Sequence, residues 1–376
     1  MFIYFFIKLF TKQKEEVFFL SRQSDNVPAY YKALMIELDK SNISYKVICK
    51  RVPSSVNTML RNEKRKGSFF IQQRNILAYY FNLYKQLTYI ATSKVVIIDG
   101  YNLVVSLFNH KNNTTVIQIW HALGAIKKFG YQTLGKKNGI NKTIAKILKM
   151  HRNYDYIIST SKEMSKCYSE AFNTPEDKIL PIGTPTVDKL LKPDKMVIKS
   201  MLKDYPILKT KPNVLYVPTF RSDGTNNNEE IIKSFDTEKY NLIFQLHPKS
   251  DPVPEDSGVI IVDRKKYSTM DLMKMADYII TDYSSLIFDT CILDKKLLLY
   301  LYDYDKYSHE NGLNIDLFKE LKGCAFKDIK DIVSVIDNNS YDKRRYNKFK
   351  KKYVNNFKGN STKELIKLIK ENLWER

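Results

Sequence analysis

The run DYIITDYSSLIFD, residues 277–289, decides the fold. Tyr278-Ile279-Ile280 is a short β-branched and aromatic stretch of strand type, and Leu286 onward has the apolar spacing of a helix. Between them lie Asp282, Ser284 and Ser285, where the first N–H groups of the helix have no intrahelical partner. Free N–H groups and the positive end of the helix dipole converge there, which is how a strand–turn–helix junction receives phosphate. The bland reading of the same residues is an ordinary N-cap. Asp289, further along the helix, would repel phosphate as a carboxylate, so it is expected to orient a neighbour or to bind a ribose or polyol hydroxyl.

Outward from this run, strand and helix patterns alternate. Strands are predicted at 17–20, 44–49, 94–99, 116–120, 156–159 and 178–182. After a proline- and lysine-rich stretch near 192–212 they return at 214–217, 242–246, 259–262, 278–281 and 297–300. Helices are predicted between them, notably at 30–38, 69–89 and 161–172. Alternation of this kind implies parallel sheets covered by helices. The expected fold is therefore α/β, with two Rossmann-like lobes of GT-B type, residues 1–192 and 193–376, and a cleft between them. Ser361 and Glu364 are expected to form a capping box that opens a last helix, which packs back on the first lobe.

The 376 residues carry 62 Lys and Arg against 41 Asp and Glu, a net charge of +21. That excess suits a polyanionic partner, whether phosphorylated substrate, anionic membrane or nucleic acid. The basic residues spread over both halves and no nucleic-acid motif occurs, so nucleic acid is not the expected partner. Residues 127–152 read as a basic amphipathic segment in which Ile144, Ile147, Leu148 and His151 share a helical face, suited to anionic lipid. The opening MFIYFFIKLF is too short to cross a bilayer, for which about 20 apolar residues are needed. It is read equally as a membrane-surface anchor and as a docked first element. The four cysteines have no metal or redox spacing, and Cys291 falls in an apolar helix pattern. Gly130–Lys136 imitates a P-loop, but Lys137 stands where Ser or Thr is required. Oligomeric state is not legible in the sequence.

His121 follows Trp120 at the end of a predicted strand, in a glycine-containing turn. Its ordinary pKa of about 6.5 suits removal of a hydroxyl proton. The alternative is a loop histidine bonded to a backbone carbonyl. His247, between Leu246 and Pro248, ends another strand and can meet a phosphate oxygen. Thr219 and Arg221 follow a third, and a guanidinium fork suits phosphate. Their shared placement at carboxyl ends of strands is where parallel sheets bind ligands.

WHALGAIKKFG (120–130), IGTPTVD (182–188), VPTFRSD (217–223), LHP (246–248), TDYSSLIFD (281–289) and LLLYLYDYDKY (297–307) together resemble the CDP-glycerol glycerophosphotransferase family, which primes or polymerises wall teichoic acids. The resemblance implies transfer of glycerol phosphate from CDP-glycerol to a lipid-linked saccharide acceptor, with release of CMP, peripherally at the cytoplasmic face of the membrane. It implies His121 as the base, and His247, Ser284 and Ser285 as phosphate contacts. Trp120, Thr219, Arg221, Asp282 and Asp289 are expected to line the substrates, with no metal or cofactor. Two departures stand out. Ala122 replaces a glycine, and Asn311-Gly312 stands where the family has Arg-Gly. The second leaves open CDP-ribitol or another CDP-polyol as donor, and a sugar-nucleotide glycosyltransferase remains the same-fold alternative.

Overall fold

The structure, a computed structural model, describes residues 2–51, 69–136, 139–221, 223–247, 250, 252–355 and 357–374. Lys137, Ser222 and Pro248 of the motifs above lie outside them. The first half contains α1 (Phe2–Phe10), β1 (Lys14–Ser21), α2 (Ala29–Lys40), β2 (Ser44–Cys49), α3 (Phe69–Thr92), β3 (Ser93–Ile98), α4 (Leu103–Leu107), β4 (Thr115–Gln118), α5 (Lys142–Ile147), β5 (Tyr156–Ile158), α6 (Lys162–Phe172), β6 (Ile179–Leu180) and α7 (Pro185–Leu191). The second contains α8 (Lys195–Asp204), β7 (Asn213–Tyr216), α9 (Asn228–Ser234), β8 (Asn241–Phe244), β9 (Ile260–Ile261), α10 (Thr269–Met275), β10 (Tyr278–Thr281), α11 (Leu286–Leu293), β11 (Lys296–Tyr300), α12 (Tyr304–Asn311), α13 (Leu317–Glu320), β12 (Ala325–Phe326), α14 (Ile329–Asp337), α15 (Lys343–Tyr353) and α16 (Ser361–Trp374).

The strands form two parallel sheets, ordered β2-β1-β3-β4-β5-β6 and β12-β11-β10-β7-β8-β9. Both faces of each are covered, which is why β3 and β11 read as near-continuous apolar runs. Alternate residues serve opposite faces. Phe18, Leu20, Val96 and Ile98 pack with Ile90, Tyr168 and Phe172 on one side of the first sheet. Val17, Phe19, Val95 and Ile97 meet Leu34 and Leu38 of α2 and Leu365, Ile369 and Leu373 of α16 on the other. A further core joins the halves: Leu123, Ile126, Met164 and Val187 pack with Tyr283, Phe288, Cys291, Tyr346 and Phe349.

Chain order reverses between β1 and β3 in the first sheet and between β7 and β10 in the second. These reversals open crevices at the carboxyl ends of the strands, the places where such sheets receive ligands.

Three local expectations are corrected. The Ser361–Glu364 capping box does not form. Instead the Asp188 carboxylate accepts the N–H groups of Ser361 (2.9 Å) and Thr362 (2.7 Å), while the buried Ser361 hydroxyl has no hydrogen-bond partner among the described residues. A full negative charge at a helix N-terminus outcompetes a neutral hydroxyl, and this one ties α7 to α16. Residues 127–152 are not one amphipathic helix. α5 ends at Ile147, and Lys149, His151 and Asn153 adopt positive φ, which breaks the helical face and turns His151 into the core. The fourth strand stops at Gln118 rather than Trp120, because Trp120 takes φ +53°.

Candidate active site

On the first sheet the site is built at the ends of β3 and β4. The left-handed turn at Trp120 packs the indole on Phe129 (centroids 4.8 Å apart, 20° between planes) and against the edge of Phe172. The Gln118 side chain accepts the Trp120 N–H at 2.9 Å. This fixes the backbone from which His121 projects, exposed to solvent. His121 Nδ1 lies 3.0 Å from the carbonyl oxygen of Asp99, just beyond β3. A carbonyl only accepts, so Nδ1 carries the proton and Nε2 of the neutral ring keeps its lone pair. The carbonyl bond of the bland reading is thus present, and it selects the tautomer that a base needs.

His121 lines a cavity of ≈ 470 Å³ with Tyr30 and Ala33 of α2, Pro185, Asp188 and Lys189 of α7, and Met270 of α10. That cavity therefore has walls from both halves. Beneath it, burial pushes the Asp99 carboxyl upward, opposed by hydrogen bonds from Ser21 and Tyr30 and by the nearby His121. The Tyr30 hydroxyl donates to Asp99 Oδ2 at 2.7 Å.

On the second sheet the loops after β7 and β10 are laced across the reversal of chain order. The Asp282 carboxylate accepts from Thr219 N (2.9 Å) and Thr219 Oγ1 (2.6 Å). Arg221 Nη1 reaches Asp282 Oδ2 at 2.9 Å and the Thr219 carbonyl at 2.8 Å. Its Nε and Nη2 form a fork with Asp303, beyond β11, at 2.8 and 3.0 Å. Tyr283 donates to Asp303 at 3.0 Å and stacks on Tyr307 with centroids 3.8 Å apart. The three charged side chains are 3–12% exposed. Most of the Arg221 fork is thereby committed to protein carboxylates, which the sequence alone does not reveal.

This cluster floors a cavity of ≈ 430 Å³ that Thr219, Phe220 and Arg221 share with Asp223, Lys306, Glu310, Asn311 and Lys127. His247 is exposed just beyond the carboxyl end of β8, its ring 4.5 Å from that of Phe220. Ser284 and Ser285 are half-buried at the start of α11. Ser284 Oγ accepts the Leu286 N–H at 3.3 Å, and Ser285 makes no side-chain cap. Asp289 is half-buried on the same helix, and burial pushes its carboxyl up to about 7.

The halves meet at the His121 loop. Gly124 sits against Phe288 of α11 so closely that an added Cβ would lie 2.5 Å from its ring. Residues 125–128 pair with 312–314 through Lys128 N to Gly312 O (3.1 Å) and Asn314 N to Ile126 O (2.8 Å). Asn314 Nδ2 also donates to the carbonyls of Ala125 and Lys127. Lys127 is thereby carried from the first half to the cavity of the second. Burial holds its ammonium below the usual lysine range, opposed by the charge of Asp282. Sequence reasoning placed neither Lys127 nor Asp303 and Tyr307 at the site. The only sign was that all three fall within motif runs already singled out. Among the described residues no group of acidic, His or Cys side chains is arranged to hold a metal ion.

Two parallel sheets, each with a ligand crevice, joined across a cleft with a histidine on one side, define a protein of the two-lobed GT-B class. The chain belongs to the CDP-glycerol:poly(glycerophosphate) glycerophosphotransferase family, whose model matches residues 2–371. It is 29% identical to a teichoic acid glycerol-phosphate primase of Bacillus subtilis strain 168, covering 91% of this chain and 89% of that one. It is equally 29% identical to a teichoic acid ribitol-phosphate primase of Bacillus spizizenii strain W23, covering 85% and 84%. A teichoic acid glycerol-phosphate primase of Staphylococcus aureus is 35% identical over 62% of each chain. In fold, the wall teichoic acid polymerase TagF superposes with TM-score 0.74 at 19% identity, covering 99% of this chain and 93% of that one. A UDP-GlcNAc 2-epimerase from Neisseria meningitidis, bound to UDP-GlcNAc, gives 0.59 at 15% identity, covering 95% and 100%.

Proposed function

We propose that this protein transfers a polyol phosphate from a CDP-activated polyol, CDP-glycerol first, to a hydroxyl of a lipid-linked saccharide acceptor in wall teichoic acid synthesis, at the cytoplasmic face of the membrane. Residues 1–192 receive the acceptor and residues 193–376 the donor. The carrying observation is the His121 ring, held by the Asp99 carbonyl with its Nε2 lone pair available in a cavity walled by both halves.

His121 Nε2 takes the acceptor hydroxyl proton as that oxygen attacks the phosphorus bearing the polyol. The new P–O bond forms as the bond to the CMP oxygen breaks, and CMP leaves with the electron pair. His247 and the start of α11 at Ser284 and Ser285 receive the charge of the donor phosphates, and Lys127 adds a cation from the acceptor side. Phosphoryl transfer rests mainly on such positioning and charge stabilisation. Asp282 and Arg221 hold the crevice in shape for Thr219. Trp120 holds the turn of the base, and Asp289 faces a ribose or polyol hydroxyl. CDP-ribitol is the second donor to consider, since a ribitol-phosphate primase is as similar as the glycerol-phosphate primase and Asn311 lines the donor-side cavity where the family carries Arg.

The test is CMP release from CDP-glycerol and from CDP-ribitol, with a lipid-linked disaccharide acceptor bearing or lacking glycerol phosphate. Acceptor-dependent release that collapses in His121→Ala supports the reading, and the preferred pair names the step. Folded protein that releases CMP from neither donor overturns it in favour of a sugar-nucleotide transferase.

A further inference from the structure

β3 runs through the core as Val95, Val96, Ile97 and Ile98 and delivers Asp99 at its carboxyl end, still buried. A carboxylate in such a place is costly unless its surroundings compensate it. Two hydroxyls do so in part. Tyr30 of α2 donates to Oδ2 at 2.7 Å, and Ser21 at the end of β1 donates as well. The Ser21 oxygen in turn accepts the Gln23 N–H at 3.1 Å. An asparagine oxygen would accept the same two hydroxyl protons with no charge to bury. These hydrogen bonds therefore do not explain why the group is an acid.

The neighbouring charges do. Besides Ser21, the groups that face Asp99 are Tyr30 and Tyr31 of α2, Cys49 at the end of β2 and His121 beyond β4. Burial pushes the two phenols and the thiol up, so they stay neutral. The positive charge that Asp99 meets is that of a protonated His121. On its other side the His121 ring faces the cavity it shares with Asp188, Lys189 and Lys192. The Asp188 carboxylate is engaged by the N–H groups of Ser361 and Thr362. The two ammonium groups disfavour a further cation beside them. The base thus takes up its proton next to two lysines, and Asp99 supplies the opposing charge from beneath. Its backbone carbonyl, 3.0 Å from Nδ1, already sets the tautomer. The carbonyl and the carboxylate of one residue therefore have separable tasks, since Asp99→Asn keeps the first and removes the charge of the second.

We infer that Asp99 is a positioning residue for the base: its buried carboxylate, anchored by Tyr30 and Ser21, is the counter-charge of the imidazolium that His121 becomes on taking the acceptor hydroxyl proton. The acceptor O–H bond breaks, the N–H bond at Nε2 forms, and the proton stays on His121 until water removes it. Asp99 remains ionised throughout. This deepens the proposed function and rests on it for the identity of the acceptor.

The experiment follows the His121 ring by NMR in the full chain labelled at histidine, with His121→Ala identifying its signal among the five histidines. In Asp99→Asn the ring keeps its tautomer, read from the two nitrogen shifts, and titrates about one pH unit lower, a hold on the proton about tenfold weaker. Tyr30→Phe removes a hydrogen bond that favours the charged carboxylate, and it moves the titration in the same direction by less. CMP release in Asp99→Asn falls about three- to tenfold in kcat, with the rising limb of its pH profile displaced downward by about the same unit and donor KM kept. A ring that titrates at the wild-type pH in both variants overturns the inference, whatever happens to the melting transition or to the rate. If Asp99→Asn does not fold, Tyr30→Phe decides by the same criterion. Titration is read without turnover. A chain that releases no CMP from any donor, yet whose ring shifts as expected, upholds the pairing of Asp99 with His121 and removes the proposed function.

Discussion

The two crevices of this molecule are built on opposite principles. At the second sheet, Thr219, Arg221, Asp282, Asp303 and Tyr283 lace three strand ends with buried ion pairs and hydrogen bonds. At the first sheet, His121 stands exposed, fixed by one ring hydrogen bond and by the turn of Trp120. A diphosphate needs a rigid frame of dipoles ready before it arrives. A base must exchange its proton with water between turnovers, which an exposed ring does readily. The difference predicts that damage to the first crevice removes activity and spares the fold, while damage to the second removes both.

The largest expected effect tests the first half of that contrast. His121→Ala lowers kcat by about 10²–10⁴, the usual range for a lost general base, and leaves the thermal transition unmoved. A drop in melting temperature alongside the lost rate erases the distinction between the crevices. Arg221→Ala should do the opposite kind of harm. It leaves Asp282 and Asp303 buried without their cation, at a cost of about 3–5 kcal/mol in urea unfolding. Arg221→Lys keeps the charge but not the fork and recovers only part of the loss. If Arg221→Ala unfolds like the wild type and merely weakens donor binding, its guanidinium serves the donor and not the frame.

The contrast also explains what was legible in the sequence. The alternation of strands and helices, the division into two sheets and the motif-bearing loops follow from local pattern, because parallel sheets with both faces covered write continuous apolar runs into the chain. Tyr278–Thr281 and Ser44–Cys49 are strands at the expected limits. What could not be read is pairing at long range. Nothing near Arg221 announces Asp303, and nothing near Ser361 announces Asp188, since each pair is made by topology and not by spacing. The local capping pattern at Ser361–Glu364 failed for that reason. The amphipathic reading of 127–152 failed at residues such as His151, whose positive φ and burial no periodicity foretells.

Gly124→Ala tests the seam between the crevices. The new Cβ meets the fully buried Phe288 ring at 2.5 Å, so either that ring or the His121 loop must move. Overpacking of this kind costs about 1–3 kcal/mol. Because Phe288 is fully buried while His121 at the head of the loop is exposed, the loop is the expected part to yield, and kcat falls while KM for the donor is kept. A change confined to donor KM would show that α11 moves instead, and that the second crevice is the softer of the two.

The smallest expected effect concerns Asp289, a group of the laced side whose ionisation burial displaces into the neutral range. An Asp carboxyl has an ordinary pKa of about 3.9, and burial on α11 pushes this one up to about 7. The folded state therefore favours the protonated form, so the stabilisation is fully present below about pH 4 and is lost as pH rises through 7. Asp289→Asn, which cannot ionise, should unfold like the wild type near pH 4 and gain on it steadily up to about pH 7.5. The gain is about 1–2 kcal/mol once the water reaching this half-buried side chain is allowed for. The same displacement bears on the donor. While protonated, Asp289 puts no negative charge beside the helix start at Ser284 and Ser285, so a phosphate placed there is not repelled. Donor KM in the wild type should then rise between about pH 6.5 and 8, and in Asp289→Asn it should stay level. Parallel pH profiles in the two proteins would mean that the carboxyl does not sense the donor site, leaving its burial a matter of packing alone.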